Sequence, residues 1–372
     1  MRIAAITGTG IFAPEHVLTN DELVEAYNVY VSRQNIINET KILAGHVRPL
    51  KPMFSHYITK SSGIERRFVV NKSGILDPER LAPVLPPRSD DMPSLMAEMA
   101  VKAAKLALEQ AGVCASQIDL VVCAASNMER AYPAIGVEVQ QLLGAKGFAF
   151  DMNVACSSAT FAIKTVSDMI RSGSIETALV VSPEICSAHL EWRDRDCNFI
   201  FGDVATAVLV QSDVKANTRH FKIRSCHCET NFSNNIRNNN GFLRRAHDEM
   251  EDRRDMQFMQ HGRKVFKEVL PIVINHINAH LSRESLTAES LKRLWLHQAN
   301  SIMNEFVGKH VFNRVLTFSD VPNILQDYGN TSSAGSIVAF SSYSEDLEPG
   351  ETGLICSFGA GYSVGSLIVE RA

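Results

Sequence analysis

The chain has 372 residues, of which 45% are hydrophobic and 21% charged, proportions of a globular protein that exclude a disordered or fibrous one. Its formal net charge of −4 speaks against non-specific nucleic-acid binding, and no run approaches the roughly 18 apolar residues of a membrane span. Eight cysteines (114, 123, 156, 186, 197, 226, 228 and 356) scattered through a chain of this length read as reduced thiols, which with the absence of a signal-like apolar start predicts a cytoplasmic protein.

In chain order, residues 2–11 predict a buried strand ending in glycines, and Thr19-Asn20-Asp21-Glu22-Leu23 a capped helix start. Residues 30–57 are polar and irregular, as is a proline-rich stretch over 83–93, and both read as surface excursions. An alanine-rich amphipathic helix over 92–111, closed by Gly112, precedes a buried strand over 118–125. Helix 134–143, strand 148–155, helix 161–171 and strands 177–183 and 205–211 complete an α/β first half. The second half repeats the order: strand 221–228, helix 262–281, strand 291–296, helices 302–311 and 333–343, then strands 353–356 and 364–370. Two local echoes support a repeat of architecture: Asn153-Val154-Ala155-Cys156-Ser157-Ser158-Ala159 against Tyr328-Gly329-Asn330-Thr331-Ser332-Ser333-Ala334, and Phe201-Gly202-Asp203 against Phe358-Gly359-Ala360. The expected halves are 1–213, with an insertion about 30–60 and a cap about 185–200, and 218–372, with an insertion about 229–256. Two βαβαβ halves related by a pseudo-two-fold would bring Cys156 and Asn330 together near the centre.

Cys156 lies between a strand and a helix start, where free N–H groups and the helix dipole favour a thiolate nucleophile. As a small buried hydrophobe it would need no function, and that stretch alone leaves the two readings even. His297-Gln298-Ala299-Asn300 and Gly329-Asn330-Thr331-Ser332-Ser333-Ala334-Gly335 likewise precede helices, at the strand ends where open α/β sheets bind ligands. By residue type a Cys, a His and an Asn also suggest a papain-like hydrolase, but two matching α/β halves argue against it. Cys226-His227-Cys228 reads as structural, because the two sulfurs share one face of a strand and no second pair follows at zinc spacing. Gly8-Thr9-Gly10 lacks the third glycine and downstream acid of a dinucleotide turn.

These motifs, with Phe201-Gly202-Asp203 and Phe358-Gly359-Ala360-Gly361-Tyr362-Ser363-Val364-Gly365, resemble those of the β-ketoacyl-acyl-carrier-protein synthase III family of the thiolase-like superfamily. Asn153 to Thr160 and Phe232-Ser233-Asn234-Asn235-Ile236-Arg237-Asn238-Asn239 are similar to its medium-chain, β-ketodecanoyl branch. The resemblance implies an α/β thiolase-like fold with a five-layered αβαβα core, and a decarboxylating Claisen condensation of an acyl thioester, octanoyl-CoA for example, with malonyl-acyl-carrier protein. It casts Cys156 as the acyl-carrying nucleophile and His297 and Asn330 as donors to the malonyl thioester oxygen. The resemblance also implies an oxyanion hole from the backbone N–H groups of Cys156 and Ala360, and Phe358 as the aromatic beside the decarboxylation site. It further implies no cofactor, coenzyme A and carrier-protein thioesters as substrates, Tyr57 and Arg195 against the nucleotide end, and Lys267 as a carrier-protein contact. Tyr132 would reach into the acyl pocket of a partner subunit, which makes the protein a homodimer. Where short-chain members carry a Trp and an Arg-Thr-Gly, this sequence has Tyr57 and Ser61-Ser62-Gly63, and a frequently basic position is Ile302. The arginines of 237–254 are a further candidate docking patch for an acidic carrier protein. Acetyl-CoA-primed synthases, dialkylresorcinol-type ketosynthase/cyclases and, from another class, acyl-thioester hydrolases are the alternatives.

Overall fold

The protein is described from a computed structural model over residues 2–216, 219–241 and 253–372. The first half contains β1 (Ala4–Phe12), β2 (His16–Thr19), α1 (Asn20–Ile37), α2 (Glu39–Leu43), α3 (Ser55–Ser62), β3 (Arg66–Val69), α4 (Ser73–Leu76), α5 (Leu95–Ala111), β4 (Leu120–Ala124), α6 (Ile135–Leu143), β5 (Phe148–Met152), α7 (Ser158–Ser172), β6 (Thr177–Glu184) and β7 (Val204–Ser212). The second contains β8 (Phe221–Ser233), β9 (Ile236–Arg237), β10 (Met259–Gln260), α8 (Gly262–Arg283), β11 (Leu291–Leu296), α9 (Ser301–Phe312), α10 (Leu325–Tyr328), α11 (Gly335–Ser342), β12 (Thr352–Gly359) and β13 (Gly361–Arg371).

Among the described residues nine strands join in the order β11-β12-β13-β8-β1-β7-β6-β4-β5. The halves meet where Ala5 faces Lys222 and Ile6 faces Phe221. Outward from that seam each half runs through its own first strand, its last and its next-to-last, so the arrangement repeats. Side chains alternate along the strands and sort the molecule into layers. Val122 and Val180 of one half, with Trp295 and Ile355 of the other, enclose a central layer made by Ile163 and Val166 of α7 and Ile337 and Phe340 of α11. Val121, Cys123 and Leu179 face α5 and α6 on one outside, and Leu294, Leu296 and Cys356 face α8 and α9 on the other. The result is the five-layered αβαβα core expected of the family.

Three expectations need correction. The strand at residues 2–11 does not end at its glycines: β1 runs through Gly8 and Gly10, and a Cβ there would lie 2.2 and 2.0 Å from the Ala107 and Ala103 carbonyl oxygens. The glycines let the alanine face of α5 lie directly on β1. Residues 30–57 are not irregular throughout, because α1 continues to Ile37 and α3 begins at Ser55. Thr19 caps α1 with Glu22 completing the capping box, and Leu23, Tyr27 and Val31 recur at helical spacing in a small fourth core with Trp192 and Phe201. The second half also departs from a strict βαβαβ repeat, since α10 and the loop to Asn330 take the place that β5 holds in the first. Residues 313–323 there carry Asn313, Arg314, Asp320, Pro322 and Asn323, poor strand formers, with Asp320 accepting from both Arg314 guanidinium nitrogens at 2.8 and 2.6 Å.

Of the arginines considered as a patch over 237–254, Arg244 and Arg245 lie outside the described residues. Arg237 contacts Asp255 at 3.0 Å and Arg254 contacts Asp194 at 2.6 Å, which ties these two into the fold.

Candidate active site

A cavity of about 510 Å³ opens between α3, residues 195–201, the start of α8 and the start of α9. Cys156, His297, Asn330 and Phe358 all line it, so residues from both halves converge as the sequence pattern requires. Its walls are largely apolar, with Met53, Ile58, Phe199, Phe258 and Val269 among them, while Tyr57 and Arg195 line it too. Tyr57 is 57% exposed, and Arg195 donates from Nε to the Pro52 carbonyl at 3.2 Å.

Cys156 sits just ahead of α7, after Ala155, whose φ of 46° places it in the left-handed region that costs a non-glycine residue about 1–3 kcal/mol. Behind the sulfur is Gly359, where a Cβ would meet Cys156 Sγ at 2.9 Å, so only glycine allows β12 this close. Ser332 Oγ donates to Sγ at 3.4 Å, and the backbone N–H groups of Ala360 and Cys156 face the sulfur. Burial nevertheless pushes the thiol above its ordinary value, outweighing these donors. Burial thus opposes the thiolate that the helix start favours, and a nearby base would help to draw off the proton.

His297 follows β11, its backbone N–H donating to the Cys356 carbonyl at 2.7 Å, and its ring meets Phe358 edge-on with centroids 5.3 Å apart. Burial holds its imidazole down to about 4, so it is neutral at physiological pH. Asn330 is fixed from three sides: its N–H donates to the Ile200 carbonyl at 2.9 Å, its carbonyl accepts from Gly202 at 3.0 Å, and its Oδ1 accepts from the Ser332 N–H at 2.8 Å. With Oδ1 so engaged, the Nδ2 donor is left for the cavity. Gln298 and Asn300, adjacent in the same motif, hold the frame. Gln298 Oε1 accepts from the Ile324 N–H at 3.0 Å, and Asn300 caps α9 through Ile302 N–H at 2.9 Å while its Nδ2 donates to the Ser61 carbonyl at 2.7 Å.

The profile of 3-oxoacyl-[acyl-carrier-protein (ACP)] synthase III matches residues 150–231, and that of its C-terminal region residues 281–371. The chain is 48% identical over 349 residues to the beta-ketodecanoyl-[acyl-carrier-protein] synthase of Pseudomonas aeruginosa, covering 94% of this chain and 100% of that protein. The chain belongs to the 3-oxoacyl-[acyl-carrier-protein] synthase III family. A beta-ketoacyl-[acyl-carrier-protein] synthase III of Streptococcus uberis is 32% identical over 73% of this chain and 84% of its own. The crystal structure of the Aquifex aeolicus family member superposes with a TM-score of 0.77 at 22% identity, covering 99% of both chains. The priming beta-ketosynthase of the R1128 polyketide pathway gives 0.77 at 22% identity over 99% of this chain and 96% of that one, which extends the likeness in fold alone.

The expectations for Tyr132 and Lys267 concern a partner's pocket and a docking surface, not this cavity. Tyr132 is 85% exposed and away from it, and Lys267 is exposed on α8 without lining it. Arg263, one helical turn before Lys267 on the same face, does line it, and sequence reading passed it over. Glu184 is a second omission. Buried at the end of β6, its carboxylate accepts from Ser126 N–H at 2.9 Å and Ser126 Oγ at 2.6 Å, and also from the Ser333 hydroxyl, which ties the two halves behind Cys156. An acid closing an otherwise apolar strand, Ala178-Leu179-Val180-Val181-Ser182-Pro183-Glu184, was the available signal. Burial raises its carboxyl to about 7.

Proposed function

We propose that the chain condenses a medium-chain acyl thioester with malonyl-acyl-carrier protein, with loss of CO₂, to give β-ketoacyl-carrier protein in fatty acid biosynthesis. The observation that carries this is the placing of Cys156, His297 and Asn330, from opposite halves, on one largely apolar cavity. The neutral imidazole of His297 takes the Cys156 proton as sulfur attacks the acyl carbonyl, and coenzyme A leaves as its thiol, giving acyl-Cys156. The oxygen of that intermediate faces the N–H groups of Cys156 and Ala360. Malonyl thioester then loses CO₂ while His297 Nε2–H and Asn330 Nδ2 donate to the developing enolate oxygen, beside Phe358. The enolate carbon attacks acyl-Cys156, and the cysteine sulfur departs. No cofactor takes part.

The name of the 48%-identical relative supports a starter near octanoyl, as does the apolar lining. Tyr57, Arg195 and Arg263 suit the phosphate and base of coenzyme A, and Lys267 the acidic carrier protein. Exposed Tyr132, with the unpaired edge of β5 and Phe148 46% exposed on it, favours a homodimer in which Tyr132 enters the partner's acyl pocket. No described helix is long and apolar enough to cross a membrane, and we assign the enzyme to the cytoplasm.

Incubation with acyl-CoA starters from acetyl to dodecanoyl, followed by malonyl-carrier protein, tests this by product identification. Octanoyl-CoA is expected to give the most ketoacyl product and a covalent adduct on Cys156. Asn330→Ala should keep the adduct and lower condensation about 10²–10³-fold. Free acid as the sole product, or acetyl-CoA as the preferred starter, would overturn the respective part.

A further inference from the structure

Two turns of like construction face each other across the site, one from each half. In the first, Asn153 Oδ1 accepts from the Ala155 N–H at 2.9 Å, and Ala155, just ahead of Cys156, stands at a φ of 46°. In the second, Asn330 Oδ1 accepts from the Ser332 N–H at 2.8 Å, and Ser332 stands at a φ of 50° with its hydroxyl on Cys156 Sγ. Each turn thus puts a non-glycine residue in the left-handed region, a conformation that persists only where the surroundings hold it. The nucleophile adjoins one of these residues and the enolate donor lies two before the other.

Both turns are held by one carboxylate. Glu184 Oε1 accepts from the Ser126 N–H at 2.9 Å and from the Ser333 N–H at 3.2 Å, and the Ser333 hydroxyl donates to the same oxygen. Oε2 accepts from Ser126 Oγ at 2.6 Å. The Ser126 carbonyl in turn accepts from Asn153 Nδ2 at 3.0 Å, which carries the connection into the Cys156 turn. Ser333 directly follows Ser332, which carries it into the other. The two N–H donors have one direction only. A proton on the carboxyl would sit on Oε2 and turn toward Ser126 Oγ, leaving Oε1 as the acceptor, so the clamp stands in either protonation state. Ser333 Oγ also lies 3.2 Å from the Ala124 carbonyl, but moving its hydrogen there would release one of the two bonds from Ser333 and keep the N–H. Glu184 is buried and does not line the cavity, so it touches neither substrate nor the reacting atoms.

We propose that Glu184 is a positioning residue that sets the spacing between Cys156 and Asn330, and with it the distance from the enolate carbon to acyl-Cys156. This rests on the condensation proposed above. Formation of acyl-Cys156 needs the first turn and His297. Condensation needs both turns at once, because Asn330 holds the enolate while Cys156 holds the carbon it attacks. Loss of the clamp therefore bears on the second step more than on the first.

The two steps measured separately test this. Glu184→Ala should form the octanoyl adduct on Cys156 at close to the wild-type rate, and should lower kcat for condensation about 10- to 100-fold with KM for malonyl-carrier protein unchanged. Glu184→Gln, whose amide oxygen can replace Oε1, should recover kcat to within about threefold of wild type. Ser333→Ala, which removes one bond and little volume, should show the same selective loss in smaller measure, and serves where Glu184→Ala does not fold. In an Asn330→Ala background Glu184→Ala should cost little further, since it acts through the turn that carries Asn330. Losses that multiply in the double variant, adduct formation slowed as much as condensation, or a Gln variant no better than the Ala one would overturn the role of Glu184. No ketoacyl product from the wild type would instead remove the reaction on which that role rests.

Discussion

Burial pushes the Cys156 thiol up, so its reactivity is expected to draw on His297 as well as on the dipole of α7. Alkylation by iodoacetamide should accordingly keep accelerating as pH rises from 7 to 9; a rate already level at pH 7 would mean that the thiolate is stable at rest. The triad was legible because each member stands in a polar motif within apolar surroundings. Glu184 was not read, since a single carboxylate at a strand end gains meaning only when Ser126 and Ser333 arrive from two distant loops to hold it. The sign of the Cys156 shift was equally hidden: sequence shows the helix that follows, but not the walls that exclude water.

At the scale of elements, α5 is the clearest case of sequence dictating packing. Ala103 and Ala107 present bare backbone to β1, and Gly8 and Gly10 receive it. Gly10→Ala should force the helix outward and cost about 1–3 kcal/mol, measurable by urea unfolding; an unchanged midpoint would show that the contact can relax. Helices with a strong apolar stripe, such as α5 and α7, could be placed from the sequence nearly to their ends. The continuation of α1 past Tyr30 was missed because its last turns, with Ile36 and Ile37 about 70% exposed, carry no buried stripe. Lys267 came from the resemblance alone; following its helical face back one turn would have found Arg263.

For the molecule as a whole, buried titratable groups set an acid limit. His189, His276, His280 and His297 are held neutral, at about 4, 3, 3 and 4. Their contribution is complete above the ordinary histidine value near 6.5 and is lost as pH falls toward those lower values, because the unfolded chain takes up protons that the folded chain refuses. Glu184 and Asp203, raised to about 7 and 6, act oppositely and favour the fold as pH falls through that range. Four groups against two leave a net loss, so the melting temperature should be lower at pH 5 than at pH 7. An equal or higher value at pH 5 would show that the histidines are reached by solvent.

The close approach of Gly359 to Cys156 bears on how the chain is made. Synthesis proceeds from the N-terminus, so the thiol and the helix behind it emerge long before His297, Asn330 and the strand that walls off the sulfur. A half-made chain has a cysteine with no proton acceptor, no enolate donors and no Ala360 N–H. Truncated or stalled products thus carry an exposed thiol but none of the groups that would direct it to condensation, and that set is completed by the docking of the last strands.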